Sequence, residues 1–257
     1  MDKARVKASD MALTILEKIA FSDEAMSQTE IAAAMGIVKS AAHKHLHTLE
    51  ESGWLIRDHR SHRYGIGPKA WLIGQRATWI DDLTQAADSR MRETRNQTGL
   101  AVVLSSVNKR SVTVIAALHG THEIEIGVRQ GSRLEVHASA QGQVMLAFGD
   151  PKLAEDVCAE PMQALTPRTL TDPGALRRRI TEVRQQGYAV APQETLLGVN
   201  VIAAPVFGHD DRLIATVAMI GSIQHLAETP DPALVTAILE LARSISQTRG
   251  HRGAGGG

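Results

Sequence analysis

Apolar positions in the first fifty-odd residues recur at helical spacing in three short blocks. The first carries Leu13, Leu16, Ile19 and Ala20, with Ser9 and Asp10 before it as N-cap candidates. The second opens on Ser27-x-x-Glu30, the spacing of a capping box, in which each side chain satisfies a free backbone N–H at the helix start. Ile31 and Met35 face one way in it and Gly36 ends it. The third runs from about Lys39 to Glu51, with Ala42, Leu46 and Leu49 on one side. Trp54–Arg57, a polar turn over Asp58–His62 and Arg63–Gly67 then form a two-stranded hairpin. Three helices followed by a hairpin predict a winged helix-turn-helix.

Helical spacing returns from Pro68 to Thr98 (Trp71, Leu72, Trp79, Leu83, Ala86, Ala87), which reads as one long or two consecutive helices linking two domains. Beyond Gly99 the runs AVVLSSV, SVTVIAAL, EIEIGV and LEVHA are strand-like and separated by turn-forming residues. Helices are predicted over Ala140–Phe148, Pro151–Ala159 and Gly174–Gln186, and about Pro232–Gln247. The strands VNVIAAPVF and LIATVAMIG flank a turn at Gly208–Arg212. The reading is a two-domain α+β chain: 1–67 a winged helix-turn-helix, 68–98 a helical linker, 99–249 an α+β domain, and 250–257 a glycine-rich disordered tail.

With 28 Lys and Arg against 28 Asp and Glu, overall charge selects no partner, so nucleic acid must be recognised locally. A lone Cys158 excludes an internal disulfide and a Cys-based zinc site, and no metal or cofactor is expected. The absence of a long apolar run or a signal-like N-terminus in MDKARVKASD points to a cytoplasmic protein with no membrane partner. Walker A, H-E-x-x-H and G-x-S-x-G motifs are missing, so no enzyme is expected.

In the first domain Ala32 and Gly36 stand four apart, as a close helix crossing and chain reversal require. Opposite the buried stripe of the third helix lie Lys39, Ser40, His43, Lys44 and His47, able to meet phosphates or base edges. Arg57, Arg60, His62 and Arg63 give the hairpin a basic wing. From Gly36 to Gly67 there are five Lys or Arg and three acids, together with His43, His45, His47, His59 and His62. The arrangement, more than this small excess, favours DNA over a helical protein-interaction module. A small-molecule sensor signalling through protein partners is the alternative. In the second domain Ser139 caps a helix beginning Ala140-Gln141-Gly142, whose free N–H groups suit either a carboxylate or ordered water, with Gly142 allowing a ligand close to the backbone.

From about Ala8 to Gln247 the chain resembles the IclR family of bacterial transcriptional regulators. In the first domain the likeness lies in LTILEKIA, QTEIAAAMGIVKSAAHKHLHTLEESGWL and RYGIG. In the second it lies in RLEVHASAQGQVMLA, RQQGYAV, QETLLGVNVIAAPVF and LIATVAMIG. Ala42 and His45 replace the family's usual branched aliphatic and leucine, and Lys44 its frequent arginine. The resemblance implies a GAF-like effector-binding domain and a homodimer or homotetramer on a palindromic double-stranded operator. It also implies a small carboxylate effector held at Ser139, Ala140, Gln141 and Gly142. Where relatives that bind very small polar acids line the cavity with an Asp, a Cys and two Ser, this chain has Ala191, Val201, Ala218 and Ile220. With Ile126 and Val199 the lining is apolar, which suits an aromatic acid such as a hydroxybenzoate better than a small oxo acid. His119 and His137, expected on nearby strands, could bond a ring substituent. The implied role is a repressor of a catabolic operon.

Overall fold

The computed structural model describes residues 6–123 and 126–251, which divide into two compact units between Trp79 and Ile80. In the first unit α1 (Lys7–Ala20), α2 (Gln28–Met35) and α3 (Lys39–Glu51) pack round Ile15, Ile19, Ile31, Leu46 and Leu49. The helix α1 begins earlier than its polar residues suggest. Its N-cap is Val6, without a side-chain cap, so Ser9 and Asp10 lie inside the helix. Of the expected stripe Ile19 is buried and Leu16 packs against the core, but Leu13 and Ala20 are exposed and Ile15 is buried in their place. The capping box at Ser27 forms in full, and Gly36 closes α2 at φ 63°, a left-handed conformation that glycine adopts without strain.

The wing has three strands: β1 (Met26–Ser27), β2 (Leu55–Arg57) and β3 (Arg63–Ile66), in the order β1-β3-β2 and antiparallel. Tyr64 plugs the wing into the helical core, almost wholly buried. The stretch read as a linker forms two helices, α4 (Pro68–Gly74) and α5 (Thr78–Thr98). From Leu83 onward α5 is part of the second unit's core, through Leu83, Ala87 and Met91.

The second unit is built on a six-stranded sheet of β4 (Ala101–Asn108), β5 (Ser111–Leu118), β6 (Arg133–Leu134), β7 (Ala189–Pro192), β8 (Val199–Phe207) and β9 (Leu213–Ser222). Its order is β6-β5-β4-β9-β8-β7, with every neighbouring pair antiparallel. Because side chains alternate along a strand, β8 sends Val199, Val201 and Ala203 to one face and Ile202, Ala204 and Val206 to the other. The first face is covered by α6 (Ala140–Phe148), α7 (Pro151–Ala159) and α8 (Pro173–Gln186), the second by α5 and α9 (Pro232–Thr248). Both faces are therefore dry, which explains the nearly unbroken apolar reading of β8 and β9.

Two expected strands are not present as such. In LEVHA only Leu134 is paired, and residues 135–138 turn so that Ser139 N–H reaches the Glu135 carbonyl. In EIEIGV, Ile124 and Glu125 lie outside the described residues, and Ile126–Val128 are not strand. His137 therefore sits in a turn, and His119 just past the end of β5, neither on a strand. Of the glycine-rich tail, residues 252–257 lie outside the described residues, whereas His251 is held by Asp211 at 2.9 Å. Among the described residues no helix is long and apolar enough to cross a membrane.

Candidate DNA interface and effector site

On α3 the buried stripe is Ala42, Leu46 and Leu49, while Lys39, Ser40, His43, Lys44 and His47 are exposed. His45 is half-buried, between the two faces. Gln28 Nε2 donates to the Lys39 carbonyl at 3.2 Å and ties the start of α3 to that of α2. The wing tip is held by Asp58, whose carboxylate accepts from the N–H groups of Arg60 (3.1 Å) and Ser61 (2.6 Å) and from the Ser61 hydroxyl. Those bonds from Ser61 hold its pKa below the usual aspartate range. Arg60 and Arg57 are exposed, the latter with its guanidinium 5.6 Å from the Tyr64 ring.

Arg63 stands apart from these. Its guanidinium makes a two-point ion pair with Glu30, at 2.9 and 3.0 Å, and also donates to the Ala25 carbonyl. Glu30 is also the acidic half of the capping box, accepting from Ser27 N–H at 2.7 Å. Its pKa is lowered by the bonds from Ser27 first and from Arg63 next. Arg63 thus braces the wing against α2, a role that a basic run alone could not distinguish from a phosphate contact. Its partner lies 33 residues away.

In the second unit Ser139 caps α6 as expected, accepting from Gly142 N–H at 3.1 Å and donating to the Glu135 carbonyl at 2.8 Å. The first intrahelical bond runs from Gln143 to Ser139, which leaves the N–H groups of Ala140 and Gln141 outside the helix's own bonding. Gly142 has a packing role besides the one expected of it. A Cβ there would stand 2.2 Å from the Val136 carbonyl oxygen and 2.5 Å from its Cα, so the missing side chain makes room for the turn. The whole of Ala140–Ala147 is buried.

Beneath this helix the expected lining comes together. Val201 pairs with Ala191 on one side and Ile220 on the other, and Ala203 with Ala218, all on the face that α6 covers. Val199 belongs to the same apolar layer, and Ile126 packs against it. The polar exceptions on this face are Ser105 and Thr216, directly opposite each other, with buried hydroxyls lacking a hydrogen-bond partner among the described residues.

A polar network adjoins α6 that local sequence patterns did not reveal. Glu194 is buried and accepts from Arg179 (3.1 Å) and from Gln143 Nε2 (3.2 Å), while Arg179 also reaches Gln143 Oε1 and the Val190 carbonyl. Burial raises the Glu194 pKa, and the Arg179 guanidinium only partly offsets it. The Thr166 and Thr169 hydroxyls donate to the carbonyls of Gln193 and Glu194, fixing the loop that carries the acid. His137 Nε2 is 2.9 Å from the Gln163 carbonyl, which gives that ring a structural partner. Cys158, on α7, is buried in the apolar core between the sheet and α6–α8.

Comparison with known proteins matches both units. The profile described as "Bacterial transcriptional regulator IclR C-terminal" covers residues 75–247, and that of the "IclR helix-turn-helix domain" residues 10–59. The HTH-type transcriptional regulator BhcR of Paracoccus denitrificans is 29% identical over 246 residues, 95% of this chain and 88% of that protein. A crystal structure of an IclR transcriptional regulator from Alicyclobacillus acidocaldarius is similar with a TM-score of 0.76 and 26% identity, covering 96% of this chain and 100% of that one. An IclR homolog from Microbacterium hydrocarbonoxydans, crystallised in complex with 4-hydroxybenzoate, is similar with a TM-score of 0.78 and 25% identity, over 94% and 98% of the two chains.

Proposed function

Since the chain belongs to the IclR family of DNA-binding transcriptional regulators, we propose that it is a repressor of a catabolic operon, released by an aromatic carboxylate of hydroxybenzoate type. The observation that carries the effector is the lining beneath the start of α6. Ala191, Val201 and Ile220 lie side by side on three adjacent strands with no polar side chain among them. A small, strongly hydrated acid would lose hydration there without compensation, whereas an aromatic ring loses little. The acid end has the N–H groups of Ala140 and Gln141 and the positive end of the helix dipole. The 4-hydroxybenzoate bound to a similar protein supports the same class.

In this reading Lys39, Ser40, His43, Lys44 and His47 meet the major groove of a palindromic operator, and Arg57 and Arg60 reach the neighbouring backbone. A palindrome calls for a dimer. Trp71, Leu72 and Ile73 of α4, each about half exposed or more, supply an apolar patch for one. Effector binding alters the packing of the second units, and the spacing of the two recognition helices follows. Such a regulator works in the cytoplasm, where its DNA is.

Thermal unfolding against benzoates, hydroxybenzoates, glyoxylate and pyruvate tests the effector. A ligand at a hundred times its Kd stabilises by about 2.7 kcal/mol. Stabilisation by the aromatic acids is the expected result, and stabilisation by the small oxo acids alone would overturn it. Failure of the stabilising acid to weaken binding to upstream intergenic DNA would overturn the repressor mechanism.

A further inference from the structure

Two of the exposed side chains on α3 have a second chemistry. His43 and His47 are four residues apart on one helical face, with ring centres 6.1 Å apart and ring planes within 11° of parallel. A metal ion bonded to one nitrogen of each imidazole lies about 2.0–2.1 Å from both, so a bridged pair can have ring centres no more than roughly 6.5 Å apart. The observed spacing is inside that limit. A tetrahedral angle at the metal draws the centres to roughly 5 Å, a change that exposed rings reach by rotation about χ1 and χ2.

We propose that His43 and His47 form a chelating site for a divalent transition metal of the zinc, nickel and copper group on the DNA-reading face of α3. Histidines at i and i+4 on one helix face are an arrangement in which zinc is bound, and imidazole suits these ions in particular. Among the described residues no group of three or more His, Cys, Asp or Glu stands close enough to hold a metal. The site is therefore a pair of imidazoles with water completing the shell, which makes occupancy reversible. His45 is half-buried and turned about 200° round the helix from His43, so it takes no part.

The consequence for DNA rests on the proposal that this face enters the groove. A metal held between the rings takes the nitrogens that would meet bases or phosphates and places hydrated bulk there. Zinc and operator then exclude one another.

The test is calorimetric titration of Zn2+ into untagged, metal-free, full-length protein. We expect one ion per chain, bound at least roughly tenfold more weakly by His43→Ala and by His47→Ala, since loss of an outer partner alone costs about 10- to 100-fold. His59→Ala, in the exposed wing turn, should bind as the parent does. Equal zinc affinity in the parent, His43→Ala and His47→Ala overturns the site. Binding of upstream DNA is then measured with and without Zn2+. Weakening in the parent but not in His43→Ala supports the coupling. If zinc binds through both histidines and DNA affinity does not respond, the site stands and the groove-facing reading of α3 is overturned.

Discussion

Replacing Gly142 by alanine separates two roles for that glycine. A Cβ at this position would stand 2.2 Å from the Val136 carbonyl oxygen, 2.5 Å from its Cα and 2.6 Å from its carbonyl carbon. All three are backbone atoms of the turn that leads into α6, so no side chain can rotate away. Carbon and oxygen in ordinary contact are more than about 3 Å apart, and relief requires the turn or the helix to move by roughly 1 Å. Overpacking of this kind costs about 1–3 kcal/mol, and a backbone neighbour puts it at the upper end. Against this, alanine in a helix gains up to about 1 kcal/mol over glycine. The net expectation is a loss of about 2 kcal/mol, which for a domain of roughly 150–250 residues lowers Tm by about 4–8 °C. Thermal unfolding followed by circular dichroism, without effector, reads it directly. A variant with the parent's Tm would refute the packing argument. If that variant also failed to bind an aromatic acid, Gly142 would be serving ligand approach instead.

Lys44 and Arg63 should differ in the salt dependence of DNA binding. If Lys44 meets a phosphate as proposed, Lys44→Ala lowers the slope of log K against log salt by about 0.9, while Arg63→Ala weakens binding with the slope unchanged, because its guanidinium is held by Glu30; equal slope changes in the two would refute the distinction. Glu194→Gln tests the buried acid. Its folded-state pKa lies above the ordinary glutamate value, so its contribution to stability is full below that value and is lost as pH rises through the folded pKa. The Tm of Glu194→Gln relative to the parent should therefore rise as pH increases above the ordinary glutamate pKa, and a constant difference would contradict the burial argument. Leu46→Ala, fully buried in the first unit, should cost about 2–5 kcal/mol in urea unfolding. A loss under about 1 kcal/mol would mean the site collapses round the smaller side chain.

The features legible from the chain are those fixed by near neighbours. The capping box at Ser27, the left-handed Gly36, the stripe Ala42–Leu46–Leu49 and the apolar runs of β8 and β9 all follow from spacing over a few residues. What escaped was decided by distant partners. The two-residue β1 has no strand pattern of its own and exists because β3 pairs with it. The alternation in LEVHA reads as a strand, yet the Ser139 cap and the need to fit Val136 against Gly142 turn it instead. In α1 Leu13 stands at helical spacing from Leu16 and Ile15 from Ile19, and packing against α2 and α3 buries Ile15 and leaves Leu13 exposed. The candidate effector lining on β7, β8 and β9 was named from the family resemblance and not from spacing, since its residues come from three strands. The Gln143–Arg179–Glu194 network was not legible, since its members come from two helices and a loop.

The brace between Glu30 and Arg63 changes how the charge of the first unit should be counted. Five basic residues against three acids from Gly36 to Gly67 is a weak argument for DNA. One of those bases, Arg63, is matched by an acid outside that stretch, and one of the acids, Asp58, is occupied in closing the wing tip. The cations that remain exposed, Lys39 and Lys44 on α3 and Arg57 and Arg60 on the wing, are carried by two separate elements. Electrostatic attraction of this kind depends on where charges stand within a Debye length of about 8–10 Å, not on their sum. Glu30 joins the start of α2 to the wing at Arg63, and Gln28 joins the same end of α2 to the start of α3. A single acid thus both caps a helix and anchors a strand.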